Sequence, residues 1–257
     1  MSSLTPLPAL SDNYIWMLAD TRGGGALVVD PGEAEPVLDA LAAQGLKLAA
    51  ILVTHHHPDH VGGIARLVES EPLARICAPA DDRIPLAHQR VSDGDVLEFD
   101  SPAARFRVIT VPGHTRSHVA YYGEGLLFCG DTLFSLGCGR MFEGTPAQML
   151  ASLDRLCALP GETSVCCGHE YTLANAAFAE RIDPENRALQ EYARAAREQR
   201  NAGRPTLPTS LAQEQAANPF LRVDVLKPSA ALPASAWAGG RVARFTALRA
   251  AKDVFRA

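Results

Sequence analysis

The stretch Thr54-His55-His56-His57-Pro58-Asp59-His60 concentrates candidate metal ligands within six residues. They are His55, His57, Asp59 and His60. The apolar run before the stretch, residues 48–53, has the length and β-branched content of a buried strand, and Gly62-Gly63 lets a helix begin soon afterwards. The sequence therefore predicts that these ligands lie on a tight loop between a strand and a helix.

The spacing within this stretch predicts two metal sites. Alternate residues of an extended segment point the same way, so His55 and His57 can share one metal. Asp59 and His60 follow the bend at Pro58 and can face a second metal. His56 points away from its neighbours, and we expect a structural role for it. Crowded imidazoles would repel one another if protonated and would be poorly hydrated if buried neutral, unless a cation holds them together.

Three further predicted strands end at a residue that can bind a metal. The strand 105–111 leads to His114, the strand 126–129 leads to Asp131, and the strand 164–167 leads to His169. This recurrence is the main observation in favour of a metal centre at strand ends. By contrast, His88 follows no strand and reads as a surface residue, and for His118 we expect a supporting hydrogen bond.

The order of elements predicts two domains. Strands at 14–19 and 26–30 form a hairpin across Gly23-Gly24-Gly25, and a helix covers 34–44. Another helix begins at the capping residue Thr145, with Pro146 and Gln148 as partners, and runs to about residue 159. After Tyr171 the pattern is helical, with a helix from Asp183-Pro184 to about 200 and a last helix at 241–254. We therefore expect an α/β domain at 1–172 and an all-α domain at 173–257.

Composition limits the function classes. The chain has 257 residues and a formal net charge of -5, which argues against a generic nucleic-acid binder. It has no apolar stretch long enough to span a membrane and no secretory leader, so a cytoplasmic location without membrane association is expected. The six cysteines lack a paired framework spacing and are expected to be reduced and mostly buried.

The C-terminus is a local basic patch on this acidic chain. Six cations follow residue 226 against the single acid Asp253. They are Lys227, Arg241, Arg244, Arg249, Lys252 and Arg256. Such a patch could hold a small anion.

The histidine stretch, with His114, Asp131 and His169, closely resembles the metallo-β-lactamase superfamily. Within it, the chain resembles the glyoxalase II (hydroxyacylglutathione hydrolase) family over nearly its whole length. The more specific marks are Asn13-Tyr14, Gly137-Cys138-Gly139-Arg140, Glu143-Gly144-Thr145, Gly168-His169-Glu170-Tyr171-Thr172, Asn218-Pro219-Phe220 and Leu248-Arg249-Ala250-Ala251-Lys252-Asp253. The resemblance implies an αββα sandwich followed by a smaller helical substrate-binding domain.

The resemblance also implies which residues act. It assigns one metal to His55, His57 and His114, the other to Asp59, His60 and His169, and makes Asp131 the bridge between them. The family's glutathione-binding residues correspond to Arg140, Tyr171, Arg249 and Lys252. The chain departs from the family at two positions: members commonly have Lys and Tyr where this chain has Arg140 and Phe142. These departures concern substrate affinity rather than the type of reaction.

The implied reaction is hydrolysis of the thioester of an S-(2-hydroxyacyl)glutathione. For S-D-lactoylglutathione the products are glutathione and D-lactate, in the second step of methylglyoxal detoxification. A hydroxide held between two divalent ions would attack the carbonyl, and Asp59 and Asp131 are the expected catalytic carboxylates. Zinc is the expected metal, although iron and manganese accept the same ligands. We expect a monomer that acts on a small molecule.

Four alternatives remain at this point. The nearest is another hydrolase of the superfamily, such as a lactonase or β-lactamase, which the C-terminal helical segment disfavours. A mononuclear iron dioxygenase acting on glutathione persulfide needs fewer ligands than this chain offers. A nuclease is disfavoured by the acidic charge, and a non-catalytic metal-binding module by ligands at open strand ends.

Overall fold

The computed structural model describes residues 2–22, 24–228 and 231–256, so Gly23 of the predicted hairpin turn lies outside the described residues. The chain divides into two compact units. Unit 1 consists of Met1–Thr110 and Ser117–Gly130, and unit 2 consists of Val111–Arg116 and Asp131–Ala257. The predicted boundary near residue 172 stays a prediction.

Unit 1 begins with a six-stranded sheet whose strands follow one another in chain order. The first three strands are antiparallel, and the later ones pair in parallel. The strands are β1 (Ser2–Ala9), β2 (Asn13–Asp20), β3 (Gly25–Val29), β4 (Lys47–Leu52), β5 (Arg75–Pro79) and β6 (Gln89–Val91). The helices between them are α1 (Glu35–Gln44), α2 (Pro58–Val61) and α3 (Ile64–Ser70).

The predicted hairpin and the first helix are confirmed. Strands β2 and β3 pair from Trp16 opposite Val29 to Ala19 opposite Ala26. Helix α1 buries Val37 and Leu41, which are four residues apart and therefore lie on one face. Helix α1 joins strands β3 and β4, which pair in parallel. Their carboxyl ends therefore lie side by side.

A second group of four antiparallel strands completes unit 1. It consists of β7 (Val96–Asp100), β8 (Ala103–Thr110), β9 (Val119–Gly123) and β10 (Leu126–Gly130). The buried Tyr121 hydroxyl on β9 donates to the Val53 carbonyl at 2.8 Å, directly before the histidine stretch. Burial raises the pKa of Tyr121 well above its usual value, so this hydroxyl stays a donor at neutral pH.

Unit 2 is mostly helical. Its strands are the short pairs β11 (Leu133–Phe134) with β12 (Gly137–Cys138) and β13 (Ser164–Cys167) with β14 (Thr209–Ser210). Its helices are α4 (Pro146–Cys157), α5 (Thr172–Ile182), α6 (Arg187–Asn201), α7 (Leu211–Ala217), α8 (Ser235–Ala238) and α9 (Gly240–Val254). The predicted capping box at Thr145 and Gln148 is confirmed.

Small residues let three of these helices pack closely. A buried cluster joins Ala176 and Ala179 of α5 to Leu189 and Ala193 of α6 and to Ala217 of α7. Aromatic rings extend the packing of unit 2, since Phe220 lies 6.1 Å from Phe178 and 5.9 Å from Phe245 of α9, between ring centres.

The structure differs from the sequence expectations at four elements. Helix α5 was not predicted, and α6 begins at Arg187 rather than at Asp183-Pro184, because the Asn186 side chain caps it by accepting from the Leu189 amide. Asp59 and His60 lie in the first turn of α2 rather than on a loop. Strand β1 was missed because it contains Pro6 and Pro8, which an edge strand tolerates.

The cysteine expectation is confirmed: all six thiols are free, and all but Cys157 are buried. Within 2–22, 24–228 and 231–256, no helix combines the length and the apolar character needed to cross a membrane.

Candidate metal centre

Unit 1 brings its four predicted ligands together as two pairs. His55 Nε2 lies 3.1 Å from His57 Nδ1, and His60 Nε2 lies 3.4 Å from Asp59 Oδ2. The sequence predicted both pairs, the first from alternation along an extended segment and the second from its place after Pro58. His55 and His60 are almost completely buried, whereas His57 and Asp59 are half-buried.

The separations suit ligands of a common cation. Bonds of about 2.0–2.2 Å at tetrahedral angles place two ligand atoms roughly 3.3–3.6 Å apart. The Asp59–His60 pair falls in that range, and the His55–His57 pair lies slightly below it. Imidazole nitrogen and carboxylate oxygen are donors that zinc, iron and manganese accept, so the residues of unit 1 fit divalent metal ions.

Asp30, at the end of β3, orients one histidine of each pair. Its Oδ2 accepts from Thr54 Oγ1 at 2.7 Å and from His60 Nδ1 at 3.1 Å. Thr54 Oγ1 in turn lies 3.0 Å from His55 Nδ1. Because the Thr54 hydroxyl donates to Asp30, it accepts from His55, and these contacts assign the Nδ1–H tautomer to both histidines. Each Nε2 is then left to bind a metal.

Sequence reasoning missed Asp30. The signal was a carboxylate directly after the apolar run 26–29, the same placement that drew attention to Asp131. Asn13 was noted only as a mark of the resemblance, yet its side-chain amide donates to Asp59 Oδ2 at 3.1 Å and to the Asp59 carbonyl at 3.2 Å. Asn13 therefore holds one of the predicted ligands in place.

Two further histidines of unit 1, His56 and His118, contact residues around the two pairs. His56 Nδ1 faces Asp81 Oδ2 at 3.4 Å, in accord with its expected structural role. The Arg83 hydrogen bond holds the pKa of Asp81 well below its usual range, so this carboxylate stays charged. His118 is buried and stacks on His55 with ring centres 4.6 Å apart. A Cβ at Gly130 would lie 2.9 Å from the His118 ring and 2.3 Å from Thr54 Oγ1, so only glycine fits there.

Unit 2 brings its three predicted ligands together around one oxygen atom. Asp131 Oδ2 lies 3.5 Å from His114 Nε2 and 3.4 Å from His169 Nε2. All three side chains are buried. These distances fall in the range expected for ligands of a cation, so the three residues of unit 2 also fit a divalent metal ion.

Backbone and aromatic contacts orient these histidines. His114 Nδ1 lies 2.7 Å from the Arg140 carbonyl, which can only accept, so this contact also leaves Nε2 for a metal. The His169 ring stacks on Tyr171 with centres 4.7 Å apart and an interplanar angle of 5°. Phe142 is 61% exposed and lies 5.3 Å from the His114 ring.

The predicted substrate-binding cations of unit 2 meet at Asp253. Asp253 Oδ1 accepts from Arg140 Nε at 3.3 Å and from Arg249 Nη2 at 3.1 Å. Arg249 is buried and also donates to the Cys138 carbonyl at 2.7 Å. Lys252 Nζ lies 3.3 Å from the Ala174 carbonyl, and burial lowers its pKa from the usual value.

The basic patch is more fully paired than its sequence suggests. Arg241 contacts Asp154 and Asp224, and Lys227 contacts Glu185. Arg244 donates to the Val223 carbonyl. Partners that are distant in sequence therefore neutralise much of this segment, and Arg140, Arg249 and Lys252 remain the cations grouped around one acid.

Two family models together match residues 11–255. A model of the metallo-beta-lactamase superfamily matches residues 11–169, and a model of the hydroxyacylglutathione hydrolase C-terminus matches residues 170–255. These matches confirm the predicted fold class, a metallo-β-lactamase α/β region followed by a helical C-terminal region. The superfamily match implies a divalent metal site, and the His55–His57 and Asp59–His60 pairs of unit 1 are able to contribute to it.

Similar proteins carry the same family name. A hydroxyacylglutathione hydrolase of Xanthomonas campestris pv. campestris (strain B100) is 54% identical over 256 residues, which cover 99% of this chain and 99% of that protein. A hydroxyacylglutathione hydrolase of Xylella fastidiosa (strain M12) is 57% identical over 85% of this chain and 83% of that protein. Among solved structures, TTHA1623 in a di-iron-bound form aligns with a TM-score of 0.56 and 32% identity, over 64% of this chain and 91% of that chain.

Replacing Asp30 should weaken metal binding without removing a ligand. In Asp30→Asn, His60 and Thr54 lose their charged acceptor, and loss of such an outer partner typically lowers metal affinity about 10–100-fold. Competition with a chromophoric chelator measures the change. Asp39→Asn, on the exposed face of α1, is the matched control. Equal affinity in both variants would show that Asp30 does not tune the ligands.

Proposed function

The chain belongs to the hydroxyacylglutathione hydrolase family of the metallo-beta-lactamase superfamily, and we propose that it hydrolyses the thioester of an S-(2-hydroxyacyl)glutathione. S-D-lactoylglutathione is the expected substrate, with glutathione and D-lactate as products. The observation that carries this proposal is 54% identity to a protein of that name over 99% of both chains. The reaction would complete methylglyoxal detoxification.

We propose that the chain holds two divalent metal ions, with zinc the expected metal. His55, His57 and His114 would hold one ion, Asp59, His60 and His169 would hold the other, and Asp131 would serve both. The pairing of His55 with His57 and of Asp59 with His60 in unit 1 supports this partition. In unit 2, the shared position of Asp131 Oδ2 between His114 and His169 supports the bridge.

Such ions would lower the pKa of water towards neutrality and stabilise the negative charge that develops on the thioester carbonyl. The chain's own residues supply orientation and proton handling. Asn13 fixes Asp59 Oδ2, which makes Asp59 the carboxylate best placed to orient the attacking water or to receive its proton. A thiolate is a good leaving group, so no separate general acid is required.

Substrate binding is proposed for Arg140, Tyr171, Arg249 and Lys252. Their grouping in unit 2 suits the anionic glutathione part of the substrate, and residues 173–257 form the proposed substrate-binding domain that follows the metal domain at 1–172 in the chain. Arg140 is half-exposed, and its Nε is engaged by Asp253. A guanidinium has further donors on its other edge, so Arg140 can bind Asp253 and a substrate carboxylate together, which a lysine ammonium does less well. Phe142 offers no hydroxyl.

The alternatives fit less well. A mononuclear iron dioxygenase acting on glutathione persulfide would leave part of the ligand set unused, and a lactonase or β-lactamase would not need the C-terminal cations. We further propose that the protein is a cytoplasmic monomer that binds neither nucleic acid nor membrane.

The substrate proposal is tested with a panel of compounds. Purified metal-loaded protein should hydrolyse S-D-lactoylglutathione far faster than lactones, β-lactams or phosphodiesters, because only the thioester carries groups for the unit 2 cations. Release of free thiol measures the glutathione reaction. A lactone as the best substrate would end this proposal and leave the metal centre intact.

Asp131→Asn tests the bridge. The amide keeps the size of the side chain but removes the charge that lets one ligand serve two cations. We expect metal content to fall below two ions per chain, and turnover to fall by more than the roughly 10–100-fold typical of outer partners. Elemental analysis and kinetics measure both, with the exposed Asp82→Asn as control. Full dinuclear occupancy would show that Asp131 is not the bridge.

Lys252→Ala tests the binding of the glutathione part. A contact remote from the reacting carbonyl stabilises ground and transition states alike, so its loss should raise KM more than it lowers kcat. A charge-assisted contact is worth about 1.5–3 kcal/mol, or roughly tenfold to a hundredfold in kcat/KM. Arg249→Ala should add a loss of stability, because the Cys138 carbonyl loses its donor.

Lys227→Ala is the control, since Lys227 is an exposed lysine of the same unit that pairs with Glu185. An unchanged KM in both Lys252→Ala and Arg249→Ala would place the substrate's glutathione part elsewhere.

A further inference from the structure

Glu214 is a completely buried acid on α7 that belongs to neither the proposed ligands nor the proposed substrate contacts. Acids are almost never fully buried unless hydrogen bonds or a partner charge compensate the lost hydration. Glu214 Oε2 accepts from the Leu136 amide at 2.8 Å and from Asn218 Nδ2 at 3.0 Å. Both donors belong to unit 2: Leu136 lies in the turn between β11 and β12, so its contact connects α7 to this hairpin, and Asn218 is the C-cap of α7.

This hairpin needs outside support. Its two-residue turn is Ser135-Leu136, and Leu136 has a φ of 56°, a left-handed conformation that costs free energy for a residue with a branched side chain. Glu214 accepts from the backbone amide of Leu136. The side-chain amide of Asn218 donates to the Phe134 carbonyl at 3.1 Å and to the Gly137 carbonyl at 2.9 Å. Helix α7 and its C-cap therefore contact the turn and the residues on both sides of it.

A third side chain donates a hydrogen bond to the same turn. Asn175 Nδ2 on α5 donates to the Ser135 carbonyl at 2.9 Å. The Ser135 hydroxyl lies 2.6 Å from the Tyr192 hydroxyl on α6. Helices α5, α6 and α7 thus all reach the hairpin through buried polar contacts.

The hairpin joins two proposed site residues, Asp131 and Arg140. Its ends are closed by the Gly139 amide, which donates to the Thr132 carbonyl at 3.1 Å. A Cβ at Gly139 would lie 1.8 Å from the Asp131 carbonyl oxygen, so the two ends touch. The Arg140 carbonyl also accepts from His114 Nδ1 at 2.7 Å. A displaced hairpin would therefore move the proposed bridge, a ligand's orienting acceptor and a substrate contact together.

We propose that Glu214 is a positioning residue: with Asn218, its carboxylate holds the Leu133–Cys138 hairpin so that Asp131 and Arg140 keep their places. The consequence for catalysis rests on the proposed function. The structural role of Glu214 in supporting the hairpin is independent of that function, because all of its contacts belong to unit 2 and can be tested without measuring turnover.

The titration of Glu214 gives the proposal a pH signature. Burial raises the pKa of Glu214 from 4.5 to about 7, against the hydrogen bonds from Leu136 and Asn218, which lower it. The titratable groups facing it are Tyr192 on α6, Cys167 on β13 and Cys157 on α4. Burial raises the pKa of each of them above its usual value, so all three stay neutral between pH 4.5 and 7.

The sign of the effect follows from proton binding. Between pH 4.5 and 7 the folded protein keeps the Glu214 proton and the unfolded chain loses it, so rising pH favours unfolding by up to about tenfold per pH unit. Above pH 7 the contribution is constant. Glu214→Gln has no proton to lose at this position. Its unfolding constant should therefore rise less steeply with pH than that of the wild type between pH 4.5 and 7.

The decisive measurement is amide hydrogen exchange in the metal-loaded protein. Glu214→Leu keeps similar volume but removes both acceptors, and exchange within 131–140 should become roughly tenfold to a hundredfold faster. Glu214→Gln keeps a carbonyl acceptor, so it should restore most of the protection. Glu191→Gln, an exposed acid on α6, is the control and should leave the segment unchanged.

Two results would overturn the proposal. One is exchange in 131–140 that rises no more than in the rest of the chain, which would make Glu214 an ordinary packing residue. The other is parallel pH dependence of unfolding in the wild type and Glu214→Gln. If Glu214→Leu does not fold, Asn218→Ala takes its place, because it removes the donor to the Phe134 and Gly137 carbonyls. Faster exchange confined to 131–140 in that variant supports the proposal, and no local increase overturns it. Neither readout changes if the protein proves inactive on glutathione thioesters.

Discussion

A single buried carboxylate, Asp30, orders the histidine stretch of unit 1. A charge at that depth is stable only if hydrogen bonds replace its hydration, and Asp30 receives them from the Thr54 amide, the Thr54 hydroxyl and His60. The same bonds decide which nitrogen of His55 and of His60 is left for a metal. The requirement to solvate one acid thus orients one ligand of each proposed metal ion.

This arrangement depends on the parallel pairing of β3 and β4. The carboxyl ends of the two strands lie side by side, with the Asp30 amide donating to the Leu52 carbonyl at 2.9 Å. Asp30 then meets Thr54 immediately beyond the strands, although the two are 24 residues apart in the chain. Ligands at the ends of buried strands are held by a rigid frame, which fixes their geometry for a metal ion.

In unit 2, opposite charges limit how positive the C-terminal segment becomes. Asp253 accepts from both Arg140 and Arg249, and burial of Lys252 makes its charged form less favourable. The cations are therefore held in place before a substrate arrives, which reduces the ordering cost of binding. Arg140 suits this arrangement because its guanidinium is planar: one edge can donate to Asp253 while the other edge stays available for a substrate carboxylate.

The sequence by itself determined the elements and the candidate ligands that depend on short-range order. Apolar runs bounded by turn residues located β2, β3, β8 and β10, capping chemistry located α4, and ligands following strands singled out His114, Asp131 and His169. The partition of the metal ligands came from family resemblance, since spacing leaves it open. Helix α5 and strand β1 were not predicted from the sequence, because their local signals are weak and tertiary packing stabilises them. Only the tertiary structure decided that Asp30 orients His60, that Asn13 holds Asp59 and that Glu214 supports the hairpin before Arg140. The partners in these contacts lie 30, 46 and 78 residues apart, and a hydrogen bond over such a separation exists only once the intervening chain has folded.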